Sequence, residues 1–85
     1  MHKPQYEFLS ALYGTLLEPP KKARLNIGGR GKIRDVTLLP GRILVGRMII
    51  LSAIKHGWIT VGTQYAEITE AGVNAVCDYR KRFNE

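Results

Sequence analysis

Lysine and arginine crowd one stretch of this 85-residue chain. Between Lys21 and Arg47 stand Lys21, Lys22, Arg24, Arg30, Lys32, Arg34, Arg42 and Arg47, and Asp35 is the one carboxylate among them. Each cation that meets a phosphate releases a condensed counterion, whereas cations interspersed with carboxylates are neutralised by their own neighbours. Outside the stretch the charges nearly balance, so the net charge of +6 belongs to this segment. The chemistry expected of it is polyanion binding. Duplex DNA is the first expectation as partner, with RNA or an acidic protein surface as the alternatives.

Other chemistries find little support. His2, His56 and Cys77 fall at no metal-ligand spacing. The carboxylates Glu7, Glu18, Asp35, Glu67, Glu70, Asp78 and Glu85 show no pairing suited to acid/base catalysis, and no serine lies in a nucleophile-elbow pattern. Lys32 is followed by Ile33 instead of the hydroxyl residue that a phosphate-binding loop uses for magnesium. No catalytic, cofactor or metal residue is therefore expected, and the chain is read as a binding protein and not an enzyme. Trp58 has the π-face to stack on a base, but its place at a helix-to-strand junction favours a core role. A lone cysteine cannot make an internal disulfide, which with the absence of a basic-then-apolar leader predicts a cytoplasmic protein. The apolar run from Ile43 to Ile54 is broken by Gly46, Arg47 and Ser52, so no membrane span is expected.

The elements that must position the cations follow from periodicity. Phe8, Leu9, Leu12, Tyr13 and Leu16 recur at helical spacing over Gln5 to Leu17, with Glu18-Pro19-Pro20 as the stop. Ala23, Leu25 and Ile27 alternate, as does part of Lys32 to Leu39. Gly28-Gly29-Arg30-Gly31 between them predicts a basic hairpin, with a mobile loop as the alternative. Arg42 to His56 has the length and proline-free character of a central helix, closed by Gly57 and buried on most sides. Trp58–Val61 and Tyr65–Thr69 read as a hairpin across Gly62-Thr63-Gln64. A last helix is capped by Thr69, with Glu70 in its first turn, Val73, Val76, Cys77 and Phe83 along its stripe, and Arg80, Lys81 and Arg82 at its C-terminal end. The predicted core is Leu12, Leu16, Leu44, Met48, Leu51, Ile54, Ile59, Ile68, Val73 and Val76.

Leu51 to Val76 resembles the second half of small bacterial and phage winged helix-turn-helix proteins. Lys55-His56-Gly57-Trp58-Ile59 stands where a recognition helix ends and a wing begins, and Ile68-Thr69-Glu70-Ala71-Gly72 where the wing gives way to the closing helix. The resemblance implies one α+β winged-helix-like domain over residues 1–85, with a basic Gly-rich arm at 21–39. It further implies a small transcriptional or phage-type regulator that binds DNA. Arg24, Arg30, Lys32 and Arg34 of the arm, joined by Lys21 and Lys22, would contact phosphates, and Arg42 and Arg47 would reach the duplex from the central helix. The wing tip carries no cation and Glu67 follows it, so the wing is expected to lie off the phosphates. The family's helix before the recognition helix has only Ile33 to Leu39 to form it, and a hairpin is the alternative there. Gly28-x-x-Gly31 has the spacing of a KH-type RNA-binding loop, but Pro19-Pro20 and Pro40 leave little helical chain on either side. The competing class is a protein-interaction module, an inhibitor or adaptor that sets its basic arm against an acidic protein, and the residue types leave a homodimer open.

Overall fold

The computed structural model describes residues 1–83, Phe83 by its backbone alone. Three helices and five antiparallel strands follow in the order α1 (Lys3–Tyr13), β1 (Lys22–Ile27), β2 (Ile33–Leu39), β3 (Ile43–Gly46), α2 (Arg47–Lys55), β4 (Ile59–Val61), β5 (Tyr65–Ile68) and α3 (Glu70–Phe83). A single 3₁₀ turn, Gly29–Gly31, caps the β1–β2 hairpin. The class is thus α+β. Strand order is β3-β2-β1-β5-β4, which puts β1 in the middle, hydrogen-bonded to β2 on one side and β5 on the other.

Strand residues alternate between two faces, and the burial pattern tells which face is covered. Ala23 and Leu25 of β1, Val36 and Leu38 of β2, Val45 of β3, Ala66 of β5 and Ile59 of β4 are buried on one side. There they meet Phe8, Leu9 and Leu12 of α1, Ile50 and Ala53 of α2 and Val76 of α3 in one core. Lys22, Arg24, Thr60, Tyr65 and Glu67 point the other way and are exposed. A helical layer therefore covers one face of the sheet and leaves the opposite face to solvent.

Local chemistry closes several elements as the sequence predicts. Gly57 adopts a left-handed φ of 71° after α2. Thr69 Oγ1 accepts from the Gly72 amide at 3.1 Å and its hydroxyl donates to the Gly57 carbonyl at 2.6 Å, so one side chain caps α3 and ties it to the end of α2. The arm at 21–39 is an ordered hairpin.

Elsewhere the expectations need correction. Arg42 to His56 is not one helix. Ile43–Gly46 pairs with β2, Val36 opposite Val45 and Leu38 opposite Ile43, and only Arg47–Lys55 is helical. Gly46, extended at φ −66° and ψ 156°, is the N-cap where strand turns into helix. This break rotates the wheel on which the core was read, so that Leu44, Met48, Leu51 and Ile54 are exposed and the buried positions are Val45, Ile50 and Ala53. Leu16, placed in the core as part of α1, lies beyond the helix and is fully exposed. Gly14, at φ 80°, ends α1 before Glu18-Pro19-Pro20 is reached. Ile68 and Val73 are half-buried, Cys77 is exposed, and the Phe83 side chain lies outside the described residues. The helix that a winged-helix arrangement places before the recognition helix is absent among the described residues, and strands β2 and β3 occupy that part of the chain.

Helix α3 can approach the sheet because Gly72 has no side chain. A Cβ there would run into the Trp58 carbonyl oxygen and the Ile68 side chain. Gly72→Ala should lower the unfolding free energy by about 1–3 kcal/mol, as overpacking against backbone does, whereas Gly29→Ala, with open space around it, should stay within about 0.5 kcal/mol of the parent. Urea denaturation of the two variants checks the contrast.

Candidate nucleic-acid interface

The β1–β2 hairpin carries most of the cations of the Lys21 to Arg47 stretch, and its register decides where Lys22 and Arg24 point. Ala23 and Leu25 face the core, so Lys22, Arg24 and Asn26 face solvent on the open side of the sheet. Cross-strand partners are Arg24 with Thr37 and Asn26 with Asp35. On the far side of β1, Arg24 lies opposite Tyr65 of β5. The open face thus reads Thr37, Arg24 and Tyr65 across three strands, and the Lys22 ammonium lies 6.0 Å from the centroid of the Tyr65 ring.

Asp35, the carboxylate of this segment, is engaged by its neighbours. Asn26 Nδ2 donates to Asp35 Oδ1 at 2.6 Å and to Thr37 Oγ1 at 2.8 Å, while Arg34 Nε stands 3.6 Å from Asp35 Oδ2. Held low on the strand surface, the acid leaves Arg24 unopposed. Among the described residues the Arg34–Asp35 contact is the one ion pair, so Lys21, Lys22, Arg24, Arg30, Lys32, Arg42 and Arg47 face no carboxylate within 4 Å. Arg80, by contrast, is committed inside the molecule. Its Nε donates to the Tyr6 hydroxyl at 2.9 Å, and its guanidinium lies over the Tyr13 ring at 5.6 Å.

At the hairpin tip the Gly28 amide donates to the Lys32 carbonyl at 2.8 Å, and Arg30 and Gly31 both take left-handed φ values of 65° and 70°. A register shift after Asn26 sets Ile27 opposite Ile33 and bulges Arg34 outward. Arg30, Lys32 and Arg34 are consequently exposed at one end of the hairpin, Lys22 is exposed at the other, and Lys21 there is half-buried. The six residues of β1 span about 20 Å at the strand rise.

Arg42 and Arg47 do not share a helix as the sequence suggested. Arg42 sits in the turn before β3 at a left-handed φ of 53°, and Arg47 is the first residue of α2. They bracket β3 instead of lining a groove-reading helix. Sequence reasoning also missed Tyr65 as an aromatic on the basic face, although its parity with the outward Glu67 carries the signal. Trp58, half-buried against the core, stacks on His56 with ring centroids 4.4 Å apart. The wing tip stays close to the sheet, since the Gln64 carbonyl accepts from the Leu25 amide at 2.8 Å.

Among the described residues no group of three or more His, Cys, Asp or Glu is placed to hold a metal ion, and no helix is long and apolar enough to cross a membrane. Comparison with family models, curated proteins and solved structures finds no match to this chain.

Proposed function

We propose that this protein binds duplex DNA without catalysing a reaction on it, using the open face and tip of the β1–β2 hairpin as a basic ribbon. The observation that carries the reading is the set of six hairpin cations, Lys21, Lys22, Arg24, Arg30, Lys32 and Arg34, of which only Arg34 has a carboxylate within reach among the described residues. The hairpin tip, which runs past the pairing of β1 with β5 and of β2 with β3, is two-stranded and carries Arg30, Lys32 and Arg34, narrow enough to enter a groove, while Lys22 and Arg24 lie on the broader sheet face and would follow the phosphates. Such contacts fix position on the backbone and carry little base information, so sequence preference is modest. A role as a small regulator, working in the cytoplasm, accords with this reading.

The winged-helix-like frame is part of the proposal. Helix α2 closing at Gly57, the β4–β5 hairpin and α3 opening at Thr69 come in that family's order, and β1 lies beside the returning strand β5. The work of the frame differs from the family's, because the outward face of α2 between its terminal cations Arg47 and Lys55 is Met48, Leu51 and Ile54, which offer no donors to base edges. That apolar stripe favours a second reading in which the α2 side of the domain meets protein while the hairpin meets nucleic acid.

If about five phosphates are neutralised, log affinity for random duplex DNA should fall against log salt with a slope near −4.5. Arg30→Ala with Lys32→Ala should weaken binding equally on unrelated sequences and reduce the slope by about 1.8. A fluorescence-anisotropy salt titration reads both quantities. A flat salt response would overturn the proposal, and tighter binding to single-stranded RNA than to duplex would move it to that partner. Asp35→Asn should tighten DNA binding and leave the hairpin folded, because an amide oxygen can still accept from Asn26 while the hairpin's carboxylate charge is gone. The same titration run on this variant checks it.

A further inference from the structure

Strand β3 lies at the edge of the sheet, paired with β2 on one side only. Edge strands are ordinarily blunted by inward charges, lysines, proline or a covering element. This one is Ile43-Leu44-Val45-Gly46, with Ile43 and Leu44 exposed at 48% and 65% and no charge within it. Beside it, on the helical side of the sheet, opens a cleft of about 400 Å³ bordered by Phe8 and Ala11 of α1, Leu38 of β2, Ile43 and Val45 of β3, and Ile49 of α2. Met48 of α2, 79% exposed, carries the apolar surface past the end of the strand.

Two cations mark the ends. Arg42 precedes β3 and Arg47 follows Gly46, and neither faces a carboxylate within 4 Å among the described residues. Arg47 also stands at the first position of α2, where the positive end of the helix dipole disfavours a cation. An edge with these ends is poorly made for pairing with itself. Two copies of β3 joined antiparallel about a two-fold axis would bring Arg42 of one against Arg47 of the other, and like charges directly opposite are destabilising. Carboxylates in those places would instead meet a cation at each end. The other free edge, β4, is three residues long and is bounded by Trp58 and Gly62 without a cation.

We propose that the free edge of β3 receives an extended segment of a partner protein as a sixth strand, with uncharged apolar side chains entering the cleft and a carboxylate near each end meeting Arg42 and Arg47. Main-chain hydrogen bonds supply the pairing and alternate side chains the selectivity, as in other strand additions. Glu7, Glu18 and Lys21 also border the cleft, two carboxylates to one cation, which disfavours an acid in the middle of the segment. Of the cations assigned to DNA, only Lys21 borders this cleft, and the pairing rests on β3 with Arg42 and Arg47, so the proposal holds whether or not the hairpin binds DNA.

The test uses the full chain and two blocked synthetic peptides, Glu-Val-Thr-Val-Thr-Val-Asp and the same sequence with lysine at both ends. Heteronuclear NMR titration should show the acid-ended peptide binding, with the amide shifts concentrated from Ile43 to Arg47 and in the lining of the cleft. The lysine-ended peptide should bind about tenfold more weakly or worse. Methylating the central backbone nitrogens of the acid-ended peptide should abolish binding, because the ladder loses its donors. The doubly substituted chain Arg42→Glu, Arg47→Glu should reverse the preference, a result that a misfolded variant cannot produce. Equal binding of the two peptides, no binding of either, retention of the methylated peptide, or self-association through β3 in sedimentation would each overturn the proposal.

Discussion

The register of β1 is the constraint on which the rest depends. This strand is the centre of the sheet, bonded to β2 and β5, and its side chains alternate between the core and the open face. Ala23 is fully buried and Leu25 nearly so, while Lys22 and Arg24 stand in solvent. A slip of one residue would exchange the two sets, driving an ammonium, a guanidinium and the Asn26 amide into the core. Burying an unpaired charge costs several kcal/mol, so the same alternation that holds the core together also forces Lys22 and Arg24 onto the open face. The Asn26 bonds to Asp35 and Thr37 reinforce the register from the outer side, where they join the two strands of the hairpin.

The features legible in the sequence are those decided within a few residues. Gly28 to Gly31 announces a turn because it can take positive φ, Gly57 a helix end for the same reason, and Thr69 a helix start because its hydroxyl reaches the amide of Gly72. The alternation in Lys22 to Ile27 likewise suffices to place the outward cations. What the sequence hid is decided at a distance. Ile43-Leu44-Val45 runs into Met48-Ile49-Ile50 with no proline or charge run between them, and an apolar run of this kind suits a buried helix or a strand equally well. The choice falls to β2, whose Val36 and Leu38 lie opposite Val45 and Ile43. Gly46 serves as the helix N-cap, a place that suits glycine better than a helix interior, but a single interior glycine is tolerated, so its presence in the sequence does not decide alone.

That one break has consequences for the site as well as for the fold. A continuous helix from Arg42 would carry Arg42 and Arg47 along a shared axis as companions of the hairpin cations. The strand-to-helix junction instead sets them at opposite ends of a four-residue edge strand and turns Leu44 and Met48 outward. The cations of the Lys21 to Arg47 segment thus fall into two populations, six along the hairpin and two around an apolar edge. A count by segment cannot separate them, since both lie within the same stretch of sequence.

The two populations also differ in what a cation can do for binding. On the hairpin the charges other than half-buried Lys21 stand in solvent, with Thr37 and Tyr65 nearby, Asp35 held by Asn26 and Glu67 beside Lys21 and Lys22, so their contribution to binding a polyanion would be long-ranged and weakened by salt. Beside β3 the charges border exposed leucine, isoleucine and methionine, and an occupant that covers those side chains excludes water from around the guanidinium groups. There a matched carboxylate would gain from the lower local dielectric and an unmatched group would bear the full desolvation cost, so under the proposed reading the edge would discriminate among partners where the hairpin would attract polyanions in general. Because the sheet continues from β3 through β2 into β1, an added strand at the edge would stiffen the same β2 that forms half of the basic hairpin, so the two surfaces share a mechanical element as well as the half-buried Lys21 between them.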